Sequence, residues 1–261
     1  MKLAYRRTGP KSDLPLVLLH ALPLDSSMWD LVRVELADID VLTVDAPGFG
    51  ASPTGAELSA DAPNMACYVA ALHETLQVLA IDRIALGGLS MGGAVAADFT
   101  ATYPAMLAGL ALMDTNIAGD TPERRAGREK VAEQADAGRG YRTVEDWSTT
   151  MVGSDASTAV RKQLDAQFRQ LPNAGLAWIQ RAMAARSGNA DAVELVEGPV
   201  YFVRGSEDPT CSLEMLQQWS LRAQHPRIVE IDGAGHFTAV EKPVELADIL
   251  REFYIAATAD A

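Results

Sequence analysis

The chain has 261 residues, 48% of them apolar, and a formal net charge of −13. Such a length and apolar share supply one sizeable hydrophobic core, which excludes a disordered chain and a small disulfide-stapled scaffold. The acidic balance argues against nucleic acid as partner, because phosphate binding needs a concentrated basic surface.

Near the N-terminus, Arg6, Arg7 and Lys11 precede the run Leu14-Pro15-Leu16-Val17-Leu18-Leu19, which imitates a secretory signal. His20 interrupts the run, Asp25 follows, and no small-residue cleavage site appears, so a buried strand is the better reading. Short runs rich in Val, Ile and Leu predict strands at residues 3–7, 16–19, 41–44, 83–86, 107–113, 200–204 and 228–231. Helices are predicted over 64–80, 91–103, 213–223 and 240–257, with Pro63 and Pro243 near helix starts. This alternation is the pattern of an α/β fold, a mostly parallel central sheet flanked by helices.

Residues 117–198 differ. They carry 11 basic and 12 acidic residues, leaving 11 and 23 for the rest of the chain, so the acidic excess lies in the flanks. The segment has no good strand run and reads as several amphipathic helices, with aromatics at Tyr141, Trp147, Phe168 and Trp178. An insertion between two strands, where the loops gather, predicts a lid over the site; the alternative is a helical outgrowth with no part in binding. The Ala-rich tail after Ile255 is expected to fray. No stretch approaches a membrane span. Cys67 and Cys211 lack metal-type spacing and read as buried thiols in a reducing compartment, so a cytoplasmic protein without a metal site or cofactor is expected.

The most informative segment is Gly88-Leu89-Ser90-Met91-Gly92, between the apolar run Ile84-Ala85-Leu86 and Ala94-Val95-Ala96-Ala97. It reads as a strand, a sharp turn and a helix. Glycines two before and two after the serine leave room for the crossing strand and helix, and the hydroxyl is presented at a helix N-terminus. A serine hydroxyl is a poor nucleophile at neutral pH, so a histidine base and an orienting carboxylate must be found elsewhere.

Four histidines restrict the search. His236, in Gly233-Ala234-Gly235-His236-Phe237 just past the last apolar run, is the best candidate base. His20 ends a strand and is expected to hydrogen-bond structurally; His73 sits mid-helix, and His225 precedes Pro226 on an exposed turn. For the carboxylate, Asp208 in Gly205-Ser206-Glu207-Asp208-Pro209 follows a strand, and Pro209 disfavours helical geometry there. Asp114, which also ends a strand, is its rival. Acyl transfer further needs donors for an oxyanion, for which the backbone N–H groups of Met91 and Leu22 are the positional candidates.

Five segments in order, Leu18-Leu19-His20-Ala21-Leu22-Pro23-Leu24-Asp25, Asp45-Ala46-Pro47-Gly48-Phe49-Gly50-Ala51-Ser52, Gly88-Leu89-Ser90-Met91-Gly92-Gly93, the Asp208 segment and the His236 segment, resemble the α/β-hydrolase superfamily across nearly the whole chain. The resemblance implies nucleophile, acid and base at Ser90, Asp208 and His236, decides against Asp114, and makes Asp45 structural. It also implies a core of residues 1–116 and 199–261 with a helical cap at 117–198. Ala21 departs from the glycine common at that position, and the N-terminus shows one strand where many relatives begin with a hairpin.

In overall texture the chain is most similar to the 3-oxoadipate enol-lactonase and small carboxylesterase branch, which implies a serine hydrolase acting on a small ester or lactone. Carbon–carbon-bond hydrolase, cofactor-free haloperoxidase or perhydrolase and lyase chemistry on the same three residues, and a non-catalytic ligand receptor, are the alternatives. A sharper expectation is an anionic substrate, because Arg124, Arg125 and Arg128 cluster near the expected mouth. Against it, they alternate with Glu123, Glu129 and Glu133 at helical spacing, as on a solvated face. Oligomeric state leaves no signal in the sequence.

Overall fold

A computed structural model describes residues 1–259. Seven strands, β1 (Tyr5–Thr8), β2 (Leu16–Leu19), β3 (Val41–Val44), β4 (Ile84–Leu89), β5 (Leu107–Met113), β6 (Pro199–Gly205) and β7 (His225–Ile231), form one sheet ordered β1-β3-β2-β4-β5-β6-β7. Only β1 runs antiparallel, against β3. Strands β2 to β5 are buried at every residue, as a parallel sheet covered on both faces requires, and this is why they read as unbroken apolar runs rather than alternating ones.

The helices are α1 (Asp30–Glu35), α2 (Gly55–Leu58), α3 (Met65–Val78), α4 (Met91–Thr102), α5 (Pro122–Asp136), α6 (Trp147–Thr150), α7 (Thr158–Phe168), α8 (Asn173–Ala185), α9 (Leu213–Ser220), α10 (Thr238–Glu241) and α11 (Pro243–Thr258). Helix α4 packs on β4 and against α3, while α11 packs on β5 and β6 and against α1. Helices α5 to α8 all lie in the connection from β5 to β6, with α5 packed against α8. There Phe168 is fully buried, 5.4 Å from the Phe237 ring, and Trp178 covers Gly55 so closely that a Cβ on Gly55 would lie 2.1 Å from its indole.

Three expectations are corrected and one helix is added. His225 and Pro226 begin β7 instead of forming a turn; β7 pairs only with β6, so the missing N–H of Pro226 costs nothing on the open edge. The stretch 240–257 is not one helix, because Lys242 leaves helical geometry (φ −135°, ψ 57°) before Pro243, which then starts α11. Helix α1, adjoining a 3-10 turn at Ser26–Trp29, has no counterpart in the sequence reading. The tail does not fray at Ile255: α11 continues to Thr258, and residues 260–261 lie outside the described residues. Among the described residues, no helix is long and apolar enough to cross a membrane.

The loops that follow β2, β4, β5, β6 and β7 carry His20 and Leu22, Ser90, Asp114, Asp208 and His236 respectively. In an open parallel sheet these carboxyl ends are where ligand sites form.

Candidate functional site

Ser90 joins β4 to α4 with φ 55° and ψ −112°, a backbone conformation that L residues avoid. Tight packing holds it there. A Cβ at Gly88 would lie 2.2 Å from the Gly92 carbonyl oxygen, and one at Gly92 would lie 2.3 Å from that of Leu19. Ser90 N–H donates to the Met113 carbonyl at 2.8 Å, and the Thr115 hydroxyl donates to the Ser90 carbonyl at 2.6 Å, so the end of β5 and the loop after it anchor the turn on both sides.

The structure brings three distant residues together. His236 Nε2 is 2.9 Å from Ser90 Oγ, and His236 Nδ1 is 2.9 Å from Asp208 Oδ2. His236 and Asp208 are 4% and 5% exposed, so their interaction is shielded from solvent. Burial alone would raise the Asp208 carboxyl, but the hydrogen bond and charge of His236, with the Thr210 donors, outweigh it and hold the carboxyl below its ordinary value. A hydroxyl bonded to an imidazole whose far nitrogen faces a buried carboxylate is able to lose its proton as it attacks.

Asp114, the rival acid, is not in this chain of contacts. Its Oδ1 accepts from Gly205 N–H at 2.7 Å and its Oδ2 from the Thr238 hydroxyl at 2.6 Å. Burial, reinforced by the nearby Asp208 charge, pushes its carboxyl well above the usual range. It braces the loops after β6 and β7.

His20 is fully buried and hydrogen-bonds on both sides: Nδ1–H donates to the Ala21 carbonyl at 3.0 Å and Nε2 accepts from Ala46 N–H at 2.9 Å. Burial lowers its basicity, which suits this neutral tautomer. Asp45 is likewise consumed by backbone, accepting from Ser26 N–H at 2.9 Å and Ala51 N–H at 3.2 Å. His73 is half-buried and stacks on Tyr103 at 4.0 Å.

Leu22, Ser90, Met91 and His236 line one cavity of about 380 Å³, whose other walls include Arg124, Arg128, Trp147, Met151 and Met183. Among the described residues, neither Leu22 N–H nor Met91 N–H has an acceptor in the protein. Of the clustered arginines, Arg124 and Arg128 line the cavity; Arg125 is exposed and does not.

Three residues at the site escaped the sequence reading. Thr210 bridges Asp208 and His236: its N–H and hydroxyl each lie 2.8 Å from Asp208 Oδ1, and the hydroxyl is 3.1 Å from His236 Nδ1. Thr210 lies two residues after Asp208, a spacing at which a hydroxyl returns to a carboxylate, so a local signal existed. Glu241 accepts from Gly153 N–H at 2.7 Å and from Gly235 N–H and Phe237 N–H at 2.9 Å each, clamping the loop that carries His236. That loop also donates from His236 N–H to the Met151 carbonyl at 2.7 Å. Arg186 reaches the site from the end of α8, lining a small recess beside Ser90 and His236.

The sequence model of the Alpha/beta hydrolase family matches residues 16–249. An (E)-2-((N-methylformamido)methylene)succinate hydrolase of Acinetobacter baylyi is 25% identical over 235 residues, covering 88% of this chain and 86% of the relative. Among solved structures, a thermophilic esterase from Thermogutta terrifontis with malate bound superposes with a TM-score of 0.90 at 29% identity, over 98% of this chain and 93% of that one. The enol-lactonase from Burkholderia xenovorans shares the fold, with a TM-score of 0.82 at 21% identity over 97% and 96% of the two chains. With the match spanning most of the sheet and every loop described above, the chain belongs to the alpha/beta hydrolase family of enzymes.

Proposed function

We propose that the protein is a serine hydrolase that cleaves a small carboxylic ester or lactone through an acyl-enzyme on Ser90. The observation that carries this is the continuous run of contacts from Ser90 Oγ through His236 to Asp208, each 2.9 Å long, opening on the cavity. In this reading His236 Nε2 takes the Ser90 proton as Oγ attacks the carbonyl carbon, and Asp208 fixes the imidazole tautomer and stabilises the imidazolium. The N–H groups of Leu22 and Met91 receive the oxyanion. Collapse of the tetrahedral intermediate breaks the carbon–oxygen bond, and His236 returns its proton to the departing alkoxide, which in a lactone stays tethered. Water, deprotonated by His236, then hydrolyses the acyl-enzyme and restores Ser90. Every step uses side chains, backbone N–H groups or water, so no cofactor enters.

Residues 117–198 act in this account as the cap that selects substrate, because Arg124, Arg128, Trp147, Met151 and Met183 of that segment face the same cavity as Ser90. The named activities of the Acinetobacter and Thermogutta relatives, a hydrolase and an esterase, support the reaction class. Two free thiols, Cys67 and Cys211, fit a cytoplasmic setting. A panel of p-nitrophenyl esters and lactones tests the reading. We expect turnover of at least one member and a loss of about 10⁴–10⁶-fold in Ser90→Ala; undiminished turnover in that variant would remove Ser90 from the mechanism.

A further inference from the structure

The cavity wall built where the start of α5 meets the end of α8 carries more positive charge than its own acid balances. Asp120, buried just before α5, is approached by three guanidinium groups. Arg128 Nε hydrogen-bonds its Oδ2, Arg186 Nη2 hydrogen-bonds its Oδ1 at 3.1 Å, and Arg124 Nε stands 3.9 Å from Oδ1. One carboxylate thus faces three cations. The other acids behind this wall have partners of their own: Asp98 accepts from the Asn189 amide at 2.5 Å, Asp114 from Gly205 N–H and the Thr238 hydroxyl, and Asp208 is paired with His236.

The arginines also have unused donors. Arg186 is 6% exposed, yet its Nε is buried with no acceptor among the described residues. Arg124 makes no side-chain hydrogen bond among the described residues, and its side chain is 47% exposed. Arg128 is fixed by Asp120 and by Gln180 Oε1 at 3.1 Å, which leaves its Nη2 uncommitted. Arg124 and Arg128 line the 380 Å³ cavity with Ser90. Together with Arg186 they also line an adjoining recess of about 40 Å³ that reaches Ser90 and His236. Burying a guanidinium beside a single shared carboxylate is costly unless a further anion completes the set.

We propose that this wall binds a carboxylate of the substrate, held by Arg124 with Arg128 as second donor. Asp120 orients Arg128 and Arg186 and leaves the four-group cluster with a net charge of +2, while the planar guanidinium fork matches the two oxygens of a carboxylate. The substrate class is then an ester or lactone that bears a free carboxylate within one cavity length of the scissile carbonyl. What the wall contributes to turnover rests on the ester-hydrolase reading above; whether it binds a carboxylate does not.

The test pairs 4-nitrophenyl hydrogen glutarate with 4-nitrophenyl valerate, nearly equal in size and different in charge, and reads the ratio of their kcat/KM values. We expect wild type to favour the anion and Arg124→Ala to lower the ratio by about 10- to 100-fold, the range of a lost charged hydrogen bond. Arg125→Ala, on the exposed side of α5, keeps the wild-type ratio. A ratio unchanged in Arg124→Ala, or lowered equally in Arg125→Ala, overturns the assignment. Calorimetric binding of the glutarate dianion supplies an independent arm: binding weakened in Arg124→Ala supports the site even if neither ester turns over, and no binding to wild type overturns it.

Discussion

Glu241→Gln keeps the side-chain shape and removes one acceptor and one charge, which isolates what the Glu241 carboxylate does for the His236 loop. Its Oε2 accepts two N–H groups, from Gly153 and Gly235, and its Oε1 accepts one, from Phe237. In the variant the single amide oxygen best serves the two-donor side, leaving the amide NH₂ facing Phe237 N–H, donor against donor. Losing that charge-assisted bond costs about 1.5–3 kcal/mol, and the two surviving bonds each fall to neutral strength, a further loss of about 1 kcal/mol apiece. Glu241 is only half-buried, so water offsets part of this and about 2–4 kcal/mol remains. For a chain of this size that is a fall of roughly 4–15 °C in Tm. The clamped loops cannot relax outward independently, because Gly235 packs on the Gly153 backbone and a Cβ there would sit 2.5 Å from Gly153 N. Loosening them shifts the imbalance to His236, and misplacing its ring by about 1 Å costs about 100-fold in kcat. Thermal unfolding and kcat on a p-nitrophenyl ester measure the two effects. A variant within about 0.5 kcal/mol of wild type and with full kcat would refute the clamp.

Asp208→Asn is expected to fold and to lose roughly 10³–10⁴-fold in kcat, because the amide favours the wrong imidazole tautomer; steady-state kinetics with little change would assign the acid elsewhere. Asp114→Asn tests the raised carboxyl. A native pKa above the unfolded one gives a stabilisation that is complete below the unfolded value and is lost as pH rises through the native value. The variant escapes that loss, so its stability relative to wild type should be greater at about pH 8 than at about pH 4 in urea titrations, and a pH-independent difference would contradict the reading. Gly92→Ala drives a Cβ to 2.3 Å from the Leu19 carbonyl oxygen, which neither backbone yields easily. We expect a destabilisation of about 3 kcal/mol by chemical unfolding, and a neutral effect would show that the elbow packs less tightly than described.

Strands β2, β3 and β5 were legible to the residue, because a short run dominated by Val, Leu and Ala and closed by His20, Asp45 or Asp114 is what a doubly covered strand leaves in the sequence. Strand β7 was half-legible: its exposed first residues, and Pro226 among them, remove the apolar signal that marks a strand. Ser90, Asp208 and His236 each follow a strand with a turn-forming neighbour, so their meeting could be expected from one dimension. Asp114 shares that placement, and its bracing contacts with Gly205 and Thr238 exist only once β5, β6 and β7 lie side by side. Glu241 was illegible for the same reason, since its partners are backbone N–H groups whose identity carries no sequence signal. The arginine cluster was legible in part: helical spacing marks Arg124 and Arg128, but Arg186 joins them through Asp120 across 66 residues of chain.

Intact-mass and peptide analysis after treatment with a fluorophosphonate tests the central claim most directly, because the reagent bonds only to a serine whose proton a neighbouring base removes. The account predicts one adduct, on the peptide carrying Ser90, absent in Ser90→Ala and strongly slowed in His236→Ala. An unlabelled wild type, or an adduct that persists in Ser90→Ala, would contradict it.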